Sequence, residues 1–162
     1  MKIFSNLKNY SYGASSAVIT GLAIIIGLSS TTNAVMNMIA AILIIAIADN
    51  VADSFGLHIH QEAENISPRD VRITTALNFI SRILVLAVFI MFLIILPMML
   101  AIILCIITGL LTIILLSYYI AKLQKISPQK AIFRHVLLAA IVMLVSFGLR
   151  ELITRFAVAI IK

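Results

Sequence analysis

Apolar residues dominate this chain so strongly that water is not a suitable solvent for it. Of its 162 residues, 63% are hydrophobic and 11% are charged, and the mean hydropathy is +1.20. A soluble domain carries about 25% charged and about 45–50% apolar residues. The apolar residues form five segments, each close to the length of about 20 residues that a helix needs to cross a bilayer. The sequence therefore predicts an all-α integral membrane protein with five transmembrane helices.

Polar turns and prolines separate these five segments within a single domain covering residues 1–162. Pro68 and Pro128 each follow a serine and are placed to begin helices, and Pro97 marks a tight turn. The predicted spans cover residues 12–29, 34–57, 73–96, 98–120 and 133–157. We expect the second helix to continue beyond the bilayer through Glu64.

Positive charges predict how the spans are oriented. The formal net charge is +6, and most basic residues fall at one set of helix ends: Lys2, Lys8, Arg69, Arg72, Lys122, Lys125, Lys130 and Arg134. The turns at residues 30–33 and around Pro97 hold no lysine or arginine. The positive-inside rule then predicts a cytosolic N-terminus and an outside C-terminus. We expect an integral protein of a prokaryotic cell membrane, with the lipid bilayer and not nucleic acid as its partner.

Acidic residues are concentrated in one part of the chain. Five of the six lie between Asp49 and Asp70, and Asp49 and Asp53 fall inside the second predicted span. A carboxylate near mid-bilayer costs about 2.5–3.5 kcal/mol on insertion scales, so it is rare without a function or a partner. Arg82 in the third span is the candidate counter-charge. Alternatively, its guanidinium extends toward the cytosolic interface.

The second helix also carries a pattern of metal-ligating residue types. Asp49, Asp53, His60 and Glu64 are spaced i, i+4, i+11 and i+15, which keeps them on one face of a continuous helix. Three further candidate ligands flank this face: Asn50, His58 and Glu62. Oxygen ligands with imidazole suit divalent cations such as Mn²⁺, Fe²⁺ and Zn²⁺. These seven residues are the predicted metal-binding set. A solvated helix end is the alternative for its histidines and glutamates, and a structural pairing with Arg82 is the alternative for its aspartates.

Small residues mark the first span. It contains Gly13-Ala14-Ser15-Ser16-Ala17 and, further on, Gly27-Leu28-Ser29. Small residues let membrane helices pack closely, and they also leave room for a pathway between helices. Ser16 in this span and Asn37 near the outer end of the second span are the candidate pathway residues.

These small-residue motifs, the acidic second helix and the serine–proline turns together resemble the vacuolar iron transporter family, whose members are five-span carriers of Fe²⁺ and Mn²⁺. The resemblance covers nearly the whole chain in layout. It implies a homodimer, a metal path near the first and second spans, and transport driven by proton exchange. It implies no permanently bound cofactor, because Fe²⁺ or Mn²⁺ is the cargo.

The chain departs from that family at two places. The family's first-span aspartate aligns with Ser16, so the metal-and-proton role of that aspartate does not carry over. The family's long Glu-rich cytosolic domain, between the second and third spans, is reduced here to residues 58–70. The resemblance is thus to a compact, divergent member that lacks this domain, with Asp49 and Asp53 supplying the charge.

The expected function is transport of Fe²⁺ or Mn²⁺ out of the cytosol, with metal collected at His60, Glu62 and Glu64 and passed to the two aspartates. An enzyme is not expected. One alternative is nevertheless a membrane-embedded enzyme, because Asp49-x-x-x-Asp53 resembles a fragment of the metal-binding motif of CDP-alcohol phosphotransferases. The chain lacks that family's Asp-Gly and Ala-Arg pairs. Another alternative is a non-transporting membrane scaffold, in which the polar residues of the second helix are replaceable.

Overall fold

Five long helices make up the part of the chain that the structure describes. The structure is a computed structural model, which describes the backbone of residues 2–161 and the side chains of residues 11–156. The helices are α1 (Lys2–Leu28), α2 (Ala34–Ala63), α3 (Pro68–Ile95), α4 (Met98–Leu123) and α5 (Pro128–Ile161), and no strand occurs within the described backbone. All five are long and apolar enough to cross a membrane, judged by length and composition. This confirms the predicted all-α fold with five candidate spans.

The predicted spans lie inside these helices except for Ser29 and Leu96, which follow the ends of α1 and α3. As expected, α2 runs without a break past Gly56. It ends one residue short of Glu64, the residue at its C-cap.

The α2–α3 and α4–α5 connections are built from the same backbone motif. Asn65 and Lys125 both adopt a left-handed conformation with φ of 56°. The next amide donates back across the helix end, from Ile66 N to Gln61 O at 3.1 Å and from Ile126 N to Ala121 O at 3.0 Å, which is a Schellman C-cap. A Ser-Pro pair then follows in each connection and leads into the next helix. Because short connections join antiparallel neighbours, these two loops lie at the same end of the bundle.

Helix α1 occupies the centre of the bundle and contacts the other four helices, and its largest contact is with α3. α3 also packs on α2, and α5 packs on α4 and α1. The fully buried apolar core lies between these helices and includes Val18, Leu22, Ile25, Met38, Ile42, Leu86 and Cys105. Many large apolar side chains remain exposed on the outer faces of α2 to α5. Such a surface is suited to acyl chains and not to water.

Two glycines allow the close contact between α1 and α3. A Cβ atom at Gly13 would lie 2.5 Å from the backbone oxygen of Asn78, and one at Gly21 would lie 2.8 Å from the ring of Phe89. Both distances are below the 3.0 Å that real Cβ contacts respect. The close packing that small residues permit in membranes therefore occurs at these two positions.

We expect Gly13→Ala to lower the stability of the fold by about 1–3 kcal/mol, the usual cost of overpacking, because the Asn78 backbone cannot easily move away. Cys105 is the only cysteine and is fully buried, so a thiol-reactive fluorophore reports unfolding of the purified protein during a thermal ramp. Gly56→Ala is the matched control, since nothing lies within 4 Å of the added atom. A Gly13→Ala protein that melts with or above wild type would contradict the close α1–α3 contact.

Candidate functional site

A single buried arginine joins α1, α2 and α3. Arg82 lies near the midpoint of α3 and has no exposed surface. Its Nη2 binds Oδ2 of Asp49 and its Nη1 binds Oδ2 of Asp53. Nη1 also donates to Oγ of Ser16 at 3.0 Å. The aspartates are four residues apart on α2 and lie on successive turns of one face, so one guanidinium reaches both. Arg82 therefore occupies the counter-charge position and does not extend to the helix end.

The two aspartates are less buried than their partner. The side chain of Asp49 is 46% exposed and that of Asp53 is 34% exposed, against 0% for Arg82. Two carboxylates and one guanidinium leave a formal charge of −1. Both ion pairs use Oδ2, and neither Oδ1 has a hydrogen bond or ion pair within the described residues. Since exposed carboxylates are unfavourable against acyl chains, this side of α2 requires water or another protein surface if the helix spans a bilayer.

Buried amides and hydroxyls of α2 and α3 form further hydrogen bonds in the same segments of these helices. Asn50 donates from Nδ2 to the Phe79 backbone oxygen at 3.0 Å, and Asn78 donates from Nδ2 to Ser54 Oγ at 3.3 Å. Ser81 Oγ donates to the Asn78 backbone oxygen at 2.8 Å. We call the full set the polar interface; it consists of Ser16 on α1, Asp49, Asn50, Asp53 and Ser54 on α2, and Asn78, Ser81 and Arg82 on α3.

Three side-chain atoms of the polar interface lack a hydrogen-bond partner within the described residues. They are the acceptors Oδ1 of Asn50 and Oδ1 of Asn78 and the donor Nε of Arg82, and all three residues are fully buried. A buried polar atom left without a partner costs about 1–3 kcal/mol. Such atoms usually bind water or an ion, so the polar interface is suited to hydration.

A cavity adjoins the polar interface between α2 and α3. Its volume is about 350 Å³, and its lining is Ser54, His58, Arg72, Thr75, Ala76, Phe79 and Ile80. Ser54 belongs both to this lining and to the polar interface. His58 and Arg72 lie nearer the α2–α3 loop along their helices. The cavity is an open, mostly apolar groove that runs from Ser54 toward the end of the bundle that carries this loop.

The other predicted metal ligands form two separate pairs at the end of α2. His58 Nε2 lies 3.3 Å from Oε1 of Glu62, and His60 Nε2 lies 3.3 Å from Oε1 of Glu64. Both pairs follow from i, i+4 spacing. Residues 11–156 contain no group of three or more histidine, cysteine, aspartate or glutamate side chains placed to hold a metal ion. The predicted metal-ligand face of α2 is therefore divided into two parts: the Asp49–Asp53 pair bound to Arg82, and these histidine–glutamate pairs.

Asn37, predicted near an outer pathway mouth, lies at the opposite end of α2. It donates from Nδ2 to the Thr32 backbone oxygen at 2.8 Å and to Thr31 Oγ1 at 3.1 Å. These bonds close the turn between α1 and α2. The structure therefore brings Ser16, and not Asn37, to the polar interface.

Sequence reasoning overlooked several members of the polar interface. Ser54, Asn78 and Ser81 were not among the predicted site residues, yet all three are buried there. A signal was present in α3, where Thr74, Asn78 and Arg82 recur every four residues. That period marks a polar stripe along one helix face.

The polar interface combines two partly exposed carboxylates with two buried amide oxygens that lack a partner within the described residues. Carboxylate and amide oxygens are ligand types that hard divalent cations prefer. No protein-family model, curated protein or solved structure matches this chain.

We expect Arg82→Leu to destabilise the protein by about 3–5 kcal/mol, as removal of one partner of a buried ionic pair does. The loss should be largely recovered when Asp49→Asn and Asp53→Asn are added, because no uncompensated charge then remains. The fluorophore melt at Cys105 measures both variants, and Arg155→Leu, an exposed arginine on α5, is the control. Equal instability of the single and triple variants would mean that Arg82 acts through packing and not through charge.

Proposed function

We propose that this protein is a divalent metal-cation transporter, carrying Fe²⁺ or Mn²⁺, with Asp49 and Asp53 as its central site. One observation carries the proposal: two partly exposed carboxylates in a candidate membrane span share a single, fully buried guanidinium. Carboxylates within spans are rare and commonly mark ion pathways. Here the charge compensation is incomplete, which a purely structural ion pair would not need.

Arg82 acts in this proposal as a tethered cation. It partly neutralises the carboxylates when no metal is bound, so the empty site is not left with two unscreened charges. A divalent cation binds through the free Oδ1 atoms and competes with Arg82 for the same two carboxylates. Metal binding thus weakens the contact between α2 and α3. Protons that replace the metal on these carboxylates would provide the proposed coupling.

Several features support a route to this site. The cavity between α2 and α3 reaches the polar interface at Ser54, and the unpartnered oxygens of Asn50 and Asn78 favour a hydrated path. His58 lines the cavity, and the histidine–glutamate pairs lie beyond it, where they would collect cations. The basic loops at this end favour a cytosolic location for it under the positive-inside rule. We therefore propose a cytosolic N-terminus, an outside C-terminus and export of metal across a prokaryotic cell membrane.

A second copy of the chain is the proposed partner. The side chains of Asp49 and Asp53 on α2 remain 46% and 34% exposed. A homodimer that covers this face would keep the carboxylates away from lipid while leaving a wet path to them. This arrangement agrees with the resemblance to vacuolar iron transporters, of which we propose that the chain is a compact, divergent relative.

We expect Asp49→Asn and Asp53→Asn each to reduce Mn²⁺ and Fe²⁺ uptake into proteoliposomes by at least about tenfold, since loss of a charged ligand in a site of this kind costs more than 1.4 kcal/mol. Asp70→Asn is the matched control, because Asp70 lies in the first turn of α3, outside the polar interface, where its Oδ2 accepts from Ser67 Oγ. Thermal shifts with Fe²⁺, Mn²⁺, Zn²⁺, Co²⁺ and Mg²⁺ on the same variants separate lost binding from lost folding.

Wild-type uptake by both aspartate variants would refute the site. Transfer of lipid headgroups by the purified protein, without uptake, would instead favour a membrane-embedded enzyme that uses Asp49 and Asp53 with a metal. Absence of any metal-dependent thermal shift would favour a non-transporting scaffold.

We expect His60→Gln to raise the Mn²⁺ concentration needed for half-maximal uptake while leaving the maximal rate unchanged. The reason is that His60 and Glu64 lie at the end of α2, where they concentrate cations but do not hold them during transport. Uptake measured over a range of Mn²⁺ concentrations tests this, and the maximal rate is the internal control. A lower maximal rate at unchanged half-saturation would place His60 in the transport step itself.

A further inference from the structure

A second site lies at the α4–α5 connection, away from the polar interface. A groove of about 600 Å³ opens there, and its lining is Ile126, Ser127, Gln129, Lys130, Phe133 and Arg134. The groove combines two kinds of surface. Phe133 and Ile126 are exposed apolar side chains, and Lys130 and Arg134 supply two positive charges.

The positive charges of this groove are uncompensated. Within residues 11–156, neither Lys130 nor Arg134 takes part in an ion pair. The sequence contains no aspartate or glutamate between Val71 and Arg150. Two further lysines, Lys122 and Lys125, lie close by in the chain. The groove therefore lacks the acidic partners that a purely structural basic cluster would have.

The groove lies at the level along α5 where a lipid headgroup would be found if the helix crosses a bilayer. Lys130 and Arg134 are four residues apart in the first two turns of α5, so they share one helix face. The candidate span of α5 begins at Pro128, which places these cations near the membrane surface if the helix crosses a bilayer. Phe133 is 67% exposed beside them, where it would meet the first part of an acyl chain.

Arg134 also lines a neighbouring cavity of about 340 Å³ between α1, α4 and α5. Its lining includes polar side chains, among them Tyr12, Gln124 and His135. A headgroup larger than a bare phosphate would find hydrogen-bonding partners there. The guanidinium of Arg134 thus lies between the apolar groove and this more polar cavity.

We propose that this groove binds an anionic phospholipid, with its phosphate between Lys130 and Arg134 and one acyl chain on Phe133 and Ile126. Charge complementarity selects the occupant. Basic pockets beside membrane helices bind anionic headgroups, whereas the quaternary ammonium of phosphatidylcholine would find no acidic partner here. The proposal requires membrane insertion but does not depend on metal transport.

Lipid-dependent thermal stability tests the proposal. The detergent-purified protein is titrated with phosphatidylglycerol or phosphatidylcholine, and melting is followed with the fluorophore at Cys105. We expect phosphatidylglycerol alone to raise the melting temperature. Lys130→Gln and Arg134→Gln should each weaken its apparent affinity about fivefold, the effect of one basic residue near an anionic headgroup. Lys122→Gln is the matched control, because Lys122 lies at a similar depth but contacts the Tyr118 ring outside the groove.

Native mass spectrometry of the same variants counts bound lipid directly. It therefore distinguishes a variant that has lost lipid binding from one that is only less stable in the absence of lipid. Equal effects of the two lipids would overturn the proposal, as would a loss in Lys122→Gln equal to that in Arg134→Gln. Stabilisation by glycerol 3-phosphate to the same extent would also overturn it, since the occupant would then be a free phosphate anion.

Discussion

The contact of Arg82 with Asp49 and Asp53 organises the first three helices. A guanidinium presents five N–H donors in a rigid fork, so one side chain reaches two carboxylates on α2 and a hydroxyl on α1. A buried cation without anionic partners would carry a desolvation penalty of several kcal/mol. This contact therefore links how α2 and α3 are rotated about their axes with the position of α1 along its own axis. Gly13 completes this arrangement by letting α1 approach α3 closely enough.

The charges in the contact of Arg82 with the two aspartates do not balance, and this imbalance makes the contact a candidate functional site. Two carboxylates share one guanidinium, and their outer sides remain partly exposed. A dry, fully compensated pair would only hold helices together. Excess negative charge, unpartnered amide oxygens and an adjoining cavity are the features on which the proposed transport site depends. Because Arg82 both compensates the charge and connects α2 with α3, the proposed metal binding would also alter helix packing.

Acidic and basic residues are concentrated in different parts of the chain. The acidic residues are concentrated in α2 and the start of α3, whereas the α4–α5 connection is basic. The two loops nevertheless share one backbone motif, a left-handed residue followed by Ile-Ser-Pro. In the first loop Ser67 caps α3 by accepting from Asp70 N, and in the second loop Lys130 occupies the position that corresponds to Asp70. The same end of the bundle thus carries both the histidine–glutamate pairs of α2 and the basic groove of α5.

The sequence by itself determined the five helices, their approximate limits and the importance of Asp49 and Asp53. These follow from local properties: the length of apolar runs, the turn-forming Ser-Pro pairs and the cost of a carboxylate in an apolar segment. Only the tertiary structure decided that Arg82 meets both aspartates, that Asn78 and Ser81 join them, and that Asn37 closes a turn. Such contacts depend on which helices are neighbours and how each is rotated. Among apolar helices, hydropathy hardly distinguishes one neighbour from another, so close packing and a few polar contacts make that choice.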